Sequence, residues 1–361
     1  RDERGYLLME KKNTVLVYPI HKENIGVVRW LSSLYYVIAG VSPGYLDENQ
    51  DIGELDNRNS LNIPSKLRID EVMQNVNCDL IIIYGNTNST YEKNVIMKII
   101  KIANKKNIPV LPVNFKEGDY GTINNVYINT RREGYRWKHN IPDTYFYDLD
   151  IPTIYVGGLL NDANTYEVIV GIVLALRKKN IKVVAMANEE TSEVFGIYSM
   201  PKEFFDDTYS PEDKIKNMKR YLHLISRGSG AEILIIQIPG SLMEYSEVLT
   251  SGYGIVPYLF SKILIPELFY FTLPYELVEK DSLNKIIEYL NKKYDFEAQG
   301  IFPTNQIVDA TESFYEENLV FYYQTLEKMR RIIKEAEINI QTYDLYKDNN
   351  FEKIAEQIIE M

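Results

Sequence analysis

The sequence predicts an α/β protein made of two Rossmann-like parallel-sheet modules, the second resembling a degenerate P-loop fold. Short, continuous apolar runs such as Thr14–Tyr18, Asp79–Tyr84 and Glu232–Ile238 recur along the chain. Segments with helical apolar spacing separate them. Strands that are apolar on both faces and joined by helices belong to parallel sheets covered on both sides. The 361 residues suit two domains.

The elements are read in order. Thr14–Tyr18 is a strand ending at Pro19, and Ile25–Leu34 is a helix. Tyr35–Val41 is the second strand, closed by Ser42-Pro43-Gly44. Residues 43–65 are rich in Asp and Asn and read as a long loop before a short helix at Ile69–Val76. After the strand Asp79–Tyr84, residues 91–106 place Val95, Ile96, Ile99, Ile100 and Ala103 on one helix face. Ile108–Val113 is the next strand. Residues 114–150 lose the rhythm and are read as the connection, giving domains at 9–150 and 151–361. The second series runs strand Ile151–Val156, helix 165–179, strand Lys182–Met186, helix 211–227 and strand Glu232–Ile238. A strand at Leu264–Thr272 and a helix at Ser282–Lys293 follow. Residues 312–336 read as one long helix, with Leu319, Tyr322, Tyr323, Leu326, Met329, Ile332 and Ile333 on a single apolar face. That face suggests a homodimer contact. A last strand at Asn339–Tyr343 and a helix at Phe351–Glu360 close the chain.

Composition excludes several function classes. The net charge of −11 repels phosphate backbones, so a nucleic-acid partner is not expected. One cysteine, Cys78, cannot form an internal disulfide or a multi-cysteine metal site. His21, His139 and His223 are too scattered for a metal motif, so no metal is expected. Apolar runs fall short of a membrane span, and no signal peptide opens the chain. A cytoplasmic protein without a membrane partner is the expectation. Residues 1–8 precede the first strand and are set aside from fold reasoning.

The segment Thr153–Thr165 is the most informative. Strand, glycine turn, then apolar helix is the layout in which backbone N–H groups and a helix N-terminus hold a phosphate. Set against G-x-x-x-x-G-K-[ST], Gly158 takes the first glycine and Thr165 the final hydroxyl. Ala163 and Asn164 fall where the second glycine and the lysine would be. Gly157, Gly158, Asn161, Asn164 and Thr165 are therefore candidate phosphate or nucleotide ligands, and a nucleotide is the one cofactor this pattern allows. The competing reading is a structural turn capped by Asn161 or Asp162. Gln237, Gly240 and Ser241 form a second candidate loop at the end of the strand Glu232–Ile238. An NTPase carries a metal-holding acid there, and this strand has none before Glu244. The loop Ser251–Pro257 has two glycines but no evident strand-to-helix setting. His21 and the polar run Asn86–Ser89 also fall at strand ends, where His21 could exchange protons and Asn86–Ser89 could bind a polar ligand or cap the helix at 91. No catalytic residue is assigned.

Block order and wording resemble the peptide maturation system proteins. The resemblance rests on Met9–Pro19, Val41-Ser42-Pro43, Ile151–Leu159, Gly196–Pro201, Ile235–Leu242 and Gly252–Pro257, and spans residues 12–361. Such proteins are encoded beside bacteriocin-type precursor peptides and radical SAM enzymes. The resemblance implies an accessory role in maturing a ribosomally synthesised, modified peptide. It implies binding of the precursor peptide or the modifying enzyme, in a cleft between the modules. The alternative is a nucleotide-dependent ligase or kinase-type enzyme of the same pathway. A more distant similarity links the second module to P-loop proteins of the dethiobiotin-synthetase kind.

Overall fold

A computed structural model describes residues 13–85, 87, 89–115, 118–127, 149–160 and 164–360. The chain divides into two units, Arg1–Thr130 and Arg131–Met361.

The first unit runs β1 (Thr14–Ile20), α1 (Ile25–Leu34), β2 (Tyr36–Val41), β3 (Ser65–Lys66), α2 (Ile69–Asn75), β4 (Leu80–Tyr84), α3 (Thr90–Lys106) and β5 (Val110–Val113). Its strands lie in the order β3-β2-β1-β4-β5, all parallel. One core side is formed by Leu16, Ile81 and Ile83 against Val95, Ile96, Ile99, Ile100 and Ala103 of α3, the face that the spacing predicts. Residues 43–65 are more ordered than a plain loop. A 3-10 turn spans Ile52–Asp56, and Asp56 is fully buried. Arg29 of α1 reaches it through Nε at 2.9 Å and Nη2 at 2.6 Å, and Arg58 Nε lies 3.1 Å away. Asp51 accepts from the N–H groups of Gly53, Leu61 and Asn62. Side-chain charge here does the holding that apolar packing does elsewhere.

The second unit begins with β6 (Thr153–Gly158), α4 (Thr165–Lys178), β7 (Val183–Ala187), β8 (Tyr198–Ser199), α5 (Pro211–Ser229) and β9 (Ile233–Ser241). It continues with α6 (Ile255–Ile263), β10 (Leu268–Pro274), α7 (Lys280–Tyr294), β11 (Ala298–Thr304), β12 (Gln306–Val308), α8 (Ala310–Tyr315), β13 (Phe321–Tyr323), α9 (Leu326–Glu335) and α10 (Asp348–Ile359). Six strands form one parallel sheet, ordered β11-β10-β6-β9-β7-β8. An aromatic core of Tyr155, Phe260, Phe269, Phe271, Tyr294 and Phe296 lies on one side. On the other, α10 packs on α4 at Gly171, where an alanine Cβ would stand 2.5 Å from ring carbons of Phe351.

The long helix expected over 312–336 is not one element. It is the end of α8, then β13, which pairs antiparallel with the β12 that precedes α8, then α9. Glu317 has φ +50°, which no right-handed helix tolerates, and Thr325 caps a new helix by accepting from Lys328 N–H at 3.4 Å. The continuous apolar face that suggests a homodimer contact is therefore broken, and Tyr322 is 41% exposed. The strand expected at Asn339–Tyr343 reduces to a single bridge, Ile301 with Thr342. The loop Ser251–Pro257 is a 3-10 turn, Ser251–Gly254, followed by the first turn of α6, and it lies well past the end of β9 at Ser241.

Candidate functional site

The second sheet is doubly wound. From β6 the chain runs through α4 to β7 on one side, and from β10 through α7 to β11 on the other. Adjacent strands whose connections leave in opposite directions open a crevice at their carboxyl ends, where ligands bind in open α/β sheets. That crevice lies between Gly158 of β6 and Thr272 of β10, which are register partners.

Three hydroxyl side chains surround Gly158. Thr272 is its register partner on one flank and Ser241 on the other, across a bulge in β9. Register partners in a parallel sheet carry their side chains on one face. Thr165 opens α4, and its Oγ1 lies 3.0 Å from Thr272 Oγ1. Ser241 is buried, and its Oγ has no hydrogen-bond partner. A buried hydroxyl without a partner is uncommon and calls for an explanation. Gly158 is glycine because nothing larger fits: a Cβ would meet the Leu160 carbonyl oxygen at 2.7 Å and Thr165 Oγ1 at 2.8 Å.

Much of the turn is tied down. Leu159 N–H donates to the Thr272 carbonyl at 2.8 Å, and Leu242 N–H donates to the Gly158 carbonyl at 3.0 Å. Asn164 occupies the N-cap position of α4 with left-handed φ +57°, yet its side chain caps nothing. Instead Asn164 Nδ2 donates to Oε1 of the buried Glu167 at 2.7 Å. The lysine of a P-loop is thus replaced by an amide turned toward a carboxylate. Asn161, Asp162 and Ala163 lie outside the described residues.

Of the candidates, Gly158, Thr165 and Ser241 come together, with Gly157 preceding them on β6. Gln237 does not join them: its Oε1 accepts from Asn188 N–H at 2.9 Å, stitching β9 to the end of β7. Gly240 is exposed in the bulge with φ +79°. Thr272 and Glu167 escape a reading of the sequence alone. Thr272 stands out only as the one aliphatic hydroxyl in an otherwise apolar and aromatic strand, Leu268–Pro274. Nearby, Thr191 Oγ1 donates to the Tyr166 hydroxyl at 3.4 Å, and burial pushes the Tyr166 phenol well above its usual range. Among the described residues, no group of three or more His, Cys, Asp or Glu side chains is placed to hold a metal ion. No described helix is long and apolar enough to cross a membrane.

The features define a class: an α/β protein with two doubly wound parallel sheets, the second carrying a P-loop-like strand, glycine turn and helix. No protein-family profile matches the chain, and no curated protein does. Among solved structures it is similar to a DUF1611 family protein from Anabaena variabilis, with TM-score 0.59 and 10% identity, over 97% of this chain and 100% of that one. HypB from Helicobacter pylori, solved with nickel, matches at TM-score 0.33 and 8% identity, over 58% of this chain and 86% of its own. The signal recognition particle receptor FtsY from Elizabethkingia anophelis, in complex with GDP, matches at 0.34 and 12%, over 59% and 65%. The first shares the fold across the full length.

Proposed function

We propose that the chain is an accessory protein in the maturation of a ribosomally synthesised, modified peptide, and that its second unit holds an anionic group at the mouth of α4 without hydrolysing it. The observation that carries the ligand reading is the placement of Gly158, Thr165, Thr272 and the unpartnered Ser241 hydroxyl at the switch point of the sheet. Backbone and hydroxyl donors at a helix N-terminus suit an anion. The side chains gathered there carry no positive charge. An ammonium about 4 Å from a phosphate is worth about 4 kcal/mol at an effective dielectric near 20, so its loss costs roughly a thousandfold in affinity. Strand β9 ends in Ser241 rather than a carboxylate, which removes the usual holder of Mg²⁺. Both losses favour binding over turnover, and so an accessory role over the ligase or kinase reading. The role in peptide maturation rests on the sequence resemblance.

The test is calorimetric titration with a bacteriocin-type precursor peptide, the partner that the resemblance implies, and, separately, with ATP and Mg²⁺. Saturable binding of the peptide supports the accessory role, and its absence at high micromolar concentration contradicts it. Release of inorganic phosphate from ATP, abolished by Thr165→Val, would overturn the non-hydrolytic reading.

A further inference from the structure

Two stretches of the chain are not used by the reading above. At the carboxyl edge of the first sheet the buried Glu92 accepts from the Ser42 and Thr87 hydroxyls, and Ser89 caps α3 by accepting from Glu92 N–H at 3.4 Å. That cluster serves the fold; Asn86 and Asn88 lie outside the described residues. The second stretch, residues 242–258, leads from β9 into α6 and turns its side chains outward.

Helix α7 fixes the backbone of this second stretch. Tyr294 donates its hydroxyl to the Leu242 carbonyl at 2.6 Å, with the Gly254 carbonyl 3.3 Å away. Lys293 Nζ donates to the Tyr253 carbonyl at 2.8 Å and to the Tyr289 hydroxyl at 2.6 Å. That hydroxyl donates in turn to Glu244 Oε2 at 3.5 Å. Glu244 and Tyr253 are thus gathered at one end of α7. Between them, the N–H groups of Tyr245 and Ser246 both donate to the Leu249 carbonyl, closing a tight turn. Gly254 allows no side chain, because a Cβ there would run into the Tyr294 hydroxyl.

This anchored backbone displays apolar groups. Tyr245, Val248, Tyr253, Ile255 and Tyr258 are all exposed, Val248 by 64%, Tyr253 by 58% and Ile255 by 60%. Ile255 and Tyr258, three apart on α6, share a face. Ser251 has φ +46° and Tyr253 φ +53°, a left-handed backbone that is costly for any residue with a Cβ. Such strain persists where surrounding contacts over-determine it, and it clusters at ligand clamps. Here the strained residue presents an aromatic ring to solvent instead of packing it in the core. Grouped exposed apolar side chains mark interaction surfaces, and tyrosine is enriched in them.

The charges of the stretch select the partner. Glu247 is exposed and forms no ion pair among the described residues, and Glu244 meets the neutral Tyr289 hydroxyl. The two lysines at hand are engaged with rings. Lys262 Nζ stands 4.9 Å from the centroid of Tyr258, and Lys293 Nζ 5.0 Å from that of Tyr289. Those contacts show what tyrosine faces accept here. Tyr245 and Tyr253 carry no such cation among the described residues. A ring face beside a carboxylate attracts an ammonium or guanidinium.

We propose that residues 242–258 dock a peptide segment that carries lysine or arginine beside apolar residues. Its cations lie over Tyr245 and Tyr253 near Glu244 and Glu247, and its apolar side chains pack on Val248 and Ile255. The choice of a peptide rests on the accessory reading above; its charge and apolarity come from this surface.

The test is fluorescence anisotropy of a dye-labelled, amidated hexapeptide alternating Lys and Leu, titrated with the full chain. Hexapeptides alternating Glu and Leu, or Lys and Ser, serve for comparison. The Lys–Leu peptide is expected to bind saturably, and the other two far more weakly. Tyr253→Gly relieves the left-handed backbone, so its melting temperature is unchanged or raised while the affinity falls about tenfold. Glu247→Lys also weakens binding, most at low salt. No saturable binding of the Lys–Leu peptide at hundreds of micromolar, equal binding of the Glu–Leu peptide, or unchanged affinity in Tyr253→Gly overturns the proposal. So does a light-scattering mass of two chains that falls to one in Tyr253→Gly, which would make the occupant a second copy. The accessory reading fails or holds separately. A precursor peptide that binds the unmodified chain and Tyr253→Gly equally upholds that role and overturns this surface. Lys–Leu binding without precursor binding upholds the surface and overturns the role.

Discussion

Gly158→Ala is the sharpest probe of the turn at the mouth of α4. The added Cβ would stand 2.7 Å from the Leu160 carbonyl oxygen and 2.8 Å from Thr165 Oγ1, where ordinary contact begins at 3.4 Å. Each neighbour must give by more than half an ångström. Neither is the free end of a flexible side chain. Leu159 N–H is bonded to Thr272, Leu242 N–H to the Gly158 carbonyl, and Met243 N–H to the Leu159 carbonyl, so the backbone on both sides is anchored. Thr165 can retreat only by giving up its 3.0 Å contact with Thr272. Overpacking at a rigid site costs about 2–3 kcal/mol, and a lost buried hydrogen bond about 1 more. The expected destabilisation is therefore about 3–4 kcal/mol, several-hundredfold in local opening. Hydrogen-exchange mass spectrometry reads it as faster exchange in peptides from β6, α4 and β10, with the first unit unchanged. Adding Thr165→Ala relieves one of the two clashes and recovers about half of the loss, since the residues share a contact. Exchange in Gly158→Ala within about 0.5 kcal/mol of the unmodified protein would show that the turn is not held as described, and would refute the packing argument.

Other perturbations have equally definite outcomes. Asp56→Ala leaves Arg29 and Arg58 facing each other without their buried partner, which costs about 3–5 kcal/mol and appears as lost exchange protection in α1 and residues 47–65. Burial acts to raise the Asp51 carboxyl, but the Ser60 hydroxyl and the N–H groups of Gly53, Asn62 and Leu61 outweigh it and hold the group below its usual range. The native value is thus lower than the unfolded one, so this stabilisation is full above about pH 4 and is lost as the pH falls further. Acid-dependent exchange of residues 51–62 measures it, and Asp51→Asn removes that dependence. Burial pushes the Cys78 thiol up to about 11, with Lys106 acting against it and Asp79 with it. A thiol reagent at pH 8 should therefore leave Cys78 unmodified in the native protein and react at once on unfolding; immediate native reaction would contradict the burial.

The fold was legible where the local pattern and the tertiary environment agree. β1, β4 and the core of β9 are continuous apolar runs that lie inside parallel sheets, and α3 buries the five apolar positions that its spacing picks out. The pattern misled over 312–336, where Leu319, Tyr322 and Tyr323 keep helical spacing by chance. The backbone of Phe321–Tyr323 instead pairs antiparallel with Gln306–Val308, on the far side of α8, a partner that periodicity cannot reveal. Helix α6 was hidden because four residues before it, Ser251 to Gly254, all have positive φ and read as loop. At the candidate site the same division holds. Gly157, Gly158 and Thr165 are contiguous with a strand–turn–helix pattern and could be picked out. Thr272 joins them only through strand register 107 residues away from Thr165. Likewise, Glu92 meets Ser42 across 50 residues, because two loops of one sheet edge converge on α3. Sequence shows what a residue can do; register decides with whom.

The central question is whether the mouth of α4 grips an anion that it leaves intact. Titrating the full chain calorimetrically with inorganic pyrophosphate, with and without Mg²⁺, while assaying the mixture for orthophosphate, addresses this directly. Saturable heat that weakens in Thr165→Val and Ser241→Ala, with no orthophosphate formed, is the expected result. Absence of binding at millimolar pyrophosphate, or Mg²⁺-dependent cleavage, would contradict it.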